Sequence, residues 1–408
     1  MHKTPDNMRN LLLSILIAAG AAWMIASARY ALNAGWDSDV MRQWTSSQYL
    51  LEHVNPWRLS YETLYLNYGT SHGPTRFRLK DLVIYEVHPN LQTDGVEGIR
   101  SDLGPPTATY PPSALLPIAL TVGFVPSHTV LPAWLIVNAA AFLLLLRLLG
   151  SRRDPIAALA IILLWPPVHE VVRTSQFVFL VMVFLILSIQ TMAKRPYLSG
   201  VLLALALIKP SLTLPFLFVP LVKRRWIPFL VAGTLHLAAT LVVSLWLGDP
   251  PWVLLKQWTE IPRYMLQGAY TIQELINRAG LDNAPLGQAI TLGFVGACGL
   301  WCHLHRRAPV AALVAFCTFF SLLWTYHERY DYTLALIPIA AIYLQPGAVA
   351  PRWLAVAYLL LGIALTDAVY GTDHAVFQML RWAGRLSLAG LFIYYACNLR
   401  REDTAAKT

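Results

Sequence analysis

Charged side chains are scarce in this chain. Asp, Glu, Lys and Arg make up 13% of its 408 residues, about half the share usual in soluble domains. Hydrophobic residues fill 56% and mean hydropathy is +0.51, which excludes an ordinary soluble globule and implies an integral membrane protein. Cysteine is rare too. Cys298, Cys302, Cys317 and Cys397 all lie in or beside apolar runs, so no disulfide framework is expected. Walker, dinucleotide-binding, His-Glu-x-x-His and Cys-x-x-Cys motifs are all missing, which removes the usual signatures of nucleotide, zinc and thiol-redox enzymes. No repeat array, low-complexity tract or soluble domain interrupts the chain, so 1–408 reads as a single integral membrane domain.

What is present is a succession of apolar runs. "LPAWLIVNAAAFLLLLRLLG" (131–150) and "FVFLVMVFLILSIQTMA" (177–193) approach the roughly 20 residues that cross a bilayer core. The first run, 11–32, follows Lys3 and Arg9 as a signal peptide would, but its length and the many later runs favour a retained helix. The net charge of +9 raises the question of a nucleic-acid partner. Its distribution answers no, because basic clusters recur at 151–155, 193–196, 223–226, 305–308 and 399–403. Setting all of them inside satisfies the positive-inside rule with one topology and leaves most acids outside.

The spans then read 11–30, 131–149, 156–168, 176–193, 197–209, 211–222, 226–248, 286–304, 309–325, 333–345, 353–370 and 382–398. This is an all-α polytopic fold of about twelve transmembrane helices with both termini cytoplasmic. The pair within 197–222 is either a shallow hairpin turning near Lys209-Pro210 or a broken element that does not cross fully. Two long outer loops, 33–110 and 249–285, are rich in Trp, Tyr and Pro, and loops of such length are usually functional or disordered. Within the first, Val40, Trp44, Leu51 and Val54 recur at helical spacing, as in a helix lying on the membrane surface. Residues 110–125 read as a juxtamembrane or re-entrant outer helix with Pro111 and Pro112 at its start, where missing N–H groups cost least.

Polar residues gather where these helices meet the outer side: Asp37, Asp39, Tyr110, His169, Glu170, Arg173, Gln176, Lys209 and "TYHERYDY" (325–332). Ionisable groups near membrane depth are expensive, so they mark function. A carboxylate that takes the proton of an incoming hydroxyl, beside cations that hold a phosphate leaving group, would make a transferase using a lipid-linked donor. Asp39, Lys209, His327 and Arg329 supply those types. A transporter would instead need polar sites near the midplane and repeat symmetry. The only ionisable residue well inside a long span is His236, and no symmetric halves are visible.

Four stretches together resemble a known family. Asp39 after the first helix is followed 17 residues on by Pro56-Trp57; "TYPPSALLPIAL" occupies 109–120; "SQFVFLVMVFLIL" (175–187) leads to "YLSGVLLALALIKPSLTLPFL" (197–217); and "WTYHERYDYTLALIPIA" occupies 324–340. In order and spacing they resemble the polytopic glycosyltransferases of family 87, of the GT-C type, over residues 11–345. "HERYD" replaces the more usual paired polar residues, Trp57 stands where Tyr is common, and the 58–109 insertion is long. These departures bear on the acceptor more than on the reaction.

The resemblance implies an inverting hexosyltransferase, most simply a mannosyltransferase. Its donor would be a polyprenyl-phosphate sugar, and its acceptor a glycolipid or glycan outside the plasma membrane. Asp39, with Asp37 beside it, would be the base. His327, Arg329, Lys209, Glu328, Tyr110, Gln176 and Glu170 would bind donor phosphate or substrate, with no cofactor and no metal. Membrane lipids and no nucleic acid complete the expected partners. Each residue also has a plainer reading: the two Asp cap a helix start, Lys209 snorkels, His327 makes a structural hydrogen bond, Glu328 and Arg329 pair locally, and His236 is a satisfied core histidine. The rival from another class is a lipid-linked sugar flippase or transporter without transferase activity.

Overall fold

The computed structural model describes residues 4–35, 38–68, 99, 103, 106–150, 155–265, 284–324, 327–343, 352–366 and 375–405. Among them every regular element is helical, which is how a chain without water satisfies its own backbone. Helix α1 (Thr4–Ala34) ends at Gly35, whose φ of 55° turns the chain. Then come α2 (Asp39–Leu51), α3 (Pro56–Tyr68), α4 (Pro112–Ala119), α5 (Ser127–Leu149), α6 (Pro155–Leu164), α7 (Pro166–Arg173), α8 (Val178–Thr191) and α9 (Pro196–Ala206). Residues 210–222 fold as α10 (Pro210–Thr213), a 3-10 turn and α11 (Phe218–Val222); α12 (Trp226–Leu247) and α13 (Pro251–Met265) follow. The chain closes with α14 (Ala284–Leu304), α15 (Val310–Trp324), a 3-10 turn at Arg329–Ala335, α16 (Leu336–Tyr343), α17 (Arg352–Ala364) and α18 (Ala375–Ala405).

Helices stand at each of the twelve expected segments. Among the described residues, however, length and composition alone qualify three as full spans, in α1, α5 and α12, with a fourth if α6 and α7, bent by 61° to each other, form one. Proline shortens several of the others: Pro166, Pro196, Pro210, Pro215 and Pro220 open or interrupt helices because each lacks an N–H and fixes φ. Accordingly 197–222 is a broken element, split by Lys209, whose φ and ψ of −114° and 80° are not helical. Close approach elsewhere relies on small residues. A side chain at Gly20 would meet the Cβ of Leu163 at 2.7 Å, so α1 lies directly on α6.

The expectation of a surface helix at 38–54 needs correction. In α2, residues 40–47, 49 and 50 are all buried, because α4 and α5 cover it. Its polar face is not left to water. Ser46 and Ser47 hydroxyls donate to the carbonyls of Arg42 and Gln43 at 2.9 and 2.7 Å, and the Gln43 amide donates to Thr109 Oγ1 at 3.3 Å. The 110–125 stretch does form a short helix, α4, behind Pro111; at about 1.5 Å per residue it reaches roughly 12 Å and cannot cross a bilayer.

Two hydrophobic clusters result. One fills the bundle of α5 to α9, α15, α16, α17 and α18; the other joins α2, α4, the start of α5 and α13 around Trp57 and Leu115. Indole N–H groups fasten the second layer, from Trp44 to the Val125 carbonyl at 2.8 Å, Trp57 to Tyr110 at 2.9 Å, Trp246 to Leu50 at 2.8 Å and Trp258 to Thr109 at 2.9 Å. Such bonds suit Trp, which buries a large apolar ring yet must satisfy one donor. Through Asn55, whose amide donates to Asp249 at 2.7 Å and Gln257 at 2.9 Å, the described parts of the two long loops meet.

Candidate active site

The charged residues collect at the seam between the clusters, where the α7–α8 bend carries Phe177 into one and Val178 into the other. Three backbone supports there are each held by a tryptophan. Trp134 donates to the Ser175 carbonyl at 2.9 Å, Trp165 to Tyr332 at 3.0 Å and Trp324 to Ser211 at 2.9 Å. The bend itself is strained, since Ser175 has φ 55° without being glycine. Strain of that kind concentrates at functional sites.

Asp39 is the first residue of α2, behind the N-cap Ser38. Its backbone N–H donates to the Thr174 carbonyl at 3.0 Å, which ties α2 to the strained bend. Its carboxylate lies 3.7 Å from Arg42, within hydrogen-bonding reach of the Tyr330 hydroxyl, and in the field of Lys209 and Asp331. Burial pushes its carboxyl above the usual value and Asp331 adds to the rise, outweighing Arg42, Lys209 and Tyr330. A base so raised holds a proton more readily than an ordinary Asp.

Asp331 is the hub of the opposite wall. Lys209 Nζ donates to its Oδ1 at 2.6 Å; His327 Nδ1 at 3.2 Å and the Glu328 backbone N–H at 3.2 Å reach its Oδ2. Burial alone would raise its carboxyl, but Lys209 and His327 outweigh that and hold it below the ordinary value. Lys209 lies 4.3 Å from the centroid of the Tyr330 ring, so it turns inward rather than snorkelling. His327 is fully buried and its Nε2 donates to the Ser321 carbonyl at 2.6 Å. Both ring nitrogens therefore face protein oxygens, and the ring orders Asp331.

The remaining residues ring this pair. Glu170 holds Arg173 at 2.9 Å and Arg329 at 3.7 Å. The buried Gln176 side chain reaches Tyr330, leaving its Oε1 without a partner among the described residues. Tyr110 packs edge-on to Phe177 at 5.5 Å, and burial, then Asp39 and Asp331, push its phenol well above its usual value. Burial, Asp331 and Asp39 drive Glu328 up to about 7, so it titrates near neutrality. The structure thus brings Asp39, Tyr110, Gln176, Lys209 and Glu328 together, with Glu170 and Arg329 on the flank; Asp37 lies outside the described residues. His236, in contrast, is bonded to Ser113 at 2.7 Å and Ala204 at 3.0 Å, midway along α12.

Sequence reasoning missed Asp331 and Tyr330, although both stand in "HERYD". Their signal was the density of polar groups in one short segment between apolar helices. Chemically, the seam gathers a carboxyl, a lysine and arginines, the side-chain types that can serve a hydroxyl acceptor and an anionic leaving group.

Residues 108–325, just over half the chain, match glycosyltransferase family 87. The chain belongs to that family. It is a membrane glycosyltransferase, with a sugar donor and an acceptor as substrates. None of the curated proteins or solved structures matches it. In this family-87 transferase the matched segment contains Tyr110, Glu170, Gln176 and Lys209, while Asp39 and residues 327–331 flank it.

Proposed function

We propose that this transferase moves a hexose, mannose by analogy with the family it resembles, from a polyprenyl phosphate to a glycolipid or glycan acceptor. The reaction inverts the anomeric carbon in a GT-C type, twelve-span plasma-membrane fold, with the seam opening to the extracytoplasmic side. Asp39 accepts the proton of the acceptor hydroxyl while that oxygen bonds to the anomeric carbon. The bond from that carbon to the phosphate oxygen breaks, and its electron pair leaves on the lipid monophosphate. Lys209 and Arg329 supply the charge that stabilises the departing phosphate, with His327 holding Lys209's partner Asp331 in place. Tyr110 and Gln176 line the sugar's side, and Glu328 and Glu170 set the orientation of the cations.

The observation that carries this reading is the placement of Asp39, its carboxyl raised and weakly paired, opposite the saturated Lys209–Asp331 pair. Purified protein is to be incubated with polyprenyl phosphates bearing radiolabelled mannose or glucose and with a membrane extract as acceptor. Label transferred from the mannose donor to a new product, with β-linked donor giving α-linked product, is expected. Donor that crosses vesicles without turnover would replace this proposal with the flippase reading.

A further inference from the structure

The second cluster of reactive side chains lies away from the seam. Cys298 and Cys302 stand at i and i+4 on α14, on one face of the helix, and Cys317 faces them from α15. The three sulfurs all lie within 4.8 Å of one another, Cys302 and Cys317 at 3.8 Å, and all three residues are buried. Three metal–sulfur bonds of about 2.3 Å around one centre place sulfurs roughly 4 Å apart; the 3.8 Å between Cys302 and Cys317 matches this, and the 4.8 Å limit on all three is compatible with it. As small hydrophobic residues cysteines need not converge, yet here two helices aim all three at one point.

We propose that Cys298, Cys302 and Cys317 form a binding site for a soft, thiophilic cation, with Cu(I) as the occupant. Thiolates select such ions over hard ones, and three sulfurs complete a trigonal Cu(I) centre, whereas a closed zinc site requires a fourth ligand. Each coordinated thiol releases its proton on binding. The turn that follows α14 adds polar groups beside the cluster: His305 is near enough to Cys302 to act on it electrostatically, and Lys223 is held on the carbonyls of Arg306 and Ala308. Cys317 is seven residues before Trp324, so the site sits roughly 10 Å along α15 from the turn that carries Asp331, and it would brace α14 against α15.

The test uses the full-length protein, reduced and kept anaerobic in detergent. It is titrated against the coloured Cu(I)–bicinchoninate complex, and against Zn(II) with a chromophoric chelator. One Cu(I) per chain is expected, retained in Cys397→Ser and lost in Cys298→Ser, Cys302→Ser and Cys317→Ser. Should the serine variants fail to fold, wild-type protein is alkylated with and without Cu(I) under denaturing quench. Protection of the three core cysteines, with Cys397 still modified, supports the site. The proposal fails if reduced protein withdraws no Cu(I), if uptake survives all three replacements, if Zn(II) binds in preference, or if Cys302 and Cys317 are instead found joined as a disulfide.

Discussion

Two aspartates face each other across the seam, one from each layer, and they are treated in opposite ways. Asp331, on the bundle side, accepts from a lysine, a histidine and a backbone N–H, at 2.6, 3.2 and 3.2 Å, and is held below its ordinary value. Asp39, on the α2 side, has a guanidinium no closer than 3.7 Å and a tyrosine hydroxyl, and burial pushes it up. Groups of one chemical type whose environments drive them apart are divided between structural and reactive work. The saturated carboxylate anchors; on the proposed mechanism the other one takes the proton.

The comparison breaks most visibly at Asp331. Asp331→Ala leaves Lys209 buried without its counter-charge and His327 without its orienting partner. Removing one member of a buried pair costs about 3–5 kcal/mol, so a large fall in melting temperature, and loss of activity along with it, is expected. A variant that melts like wild type would show that the hub is not structural. Lys209→Met comes next. It strips Asp331 of its lysine partner, so melting should fall here too; in protein that remains folded, losing the proposed charge-assisted bond to the donor phosphate costs about 1.5–3 kcal/mol, or roughly ten- to a hundredfold, and steady-state kinetics should place that loss on the donor rather than on the acceptor.

Proton linkage sharpens the contrast. On the proposed mechanism Asp39 must be ionised to act, so kcat/KM should fall as pH drops through a value raised above that of an ordinary Asp. Glu328, raised from 4.5 to about 7, contributes stability that is fully present below the unfolded value and lost as pH rises through about 7. Asp331, being depressed, does the reverse and loses its contribution only in acid. Glu328→Gln should therefore flatten the decline in melting temperature between about pH 5 and 8, an effect on the order of 2 kcal/mol, while leaving the acid limb of activity in place. The smallest effect is at the bend: Ser175→Gly relieves a positive φ and should raise the melting temperature slightly, by up to about 1 kcal/mol, with activity reduced only if the bend's rigidity sets Asp39.

Much of this was legible in the sequence because apolar runs and their breakers are local signals. Each expected segment holds a helix, and Lys209-Pro210 breaks the chain where the dipeptide said it would. The pairing of Lys209 with Asp331 was not legible, since it joins positions 122 residues apart, and "HERYD" by itself does not say which acid receives the lysine. The burial of α2 was misread for a related reason. Apolar residues at helical spacing look the same whether the covering surface is lipid or α4 and α5, and only the bonds of Gln43, Ser46 and Ser47 distinguish them. His327 shows the same limit, because the sequence does not reveal that its ring lies between Asp331 and the Ser321 carbonyl.

The central claim is tested most directly by the turnover of Asp39→Asn beside wild type, in purified protein with matched melting temperatures. The amide keeps the shape and the backbone bond to Thr174 but cannot accept the acceptor's proton. The account predicts that transfer of labelled sugar falls by roughly 10²- to 10⁴-fold with melting within a few degrees of wild type. Turnover near the wild-type rate in a normally folded Asp39→Asn protein would contradict it.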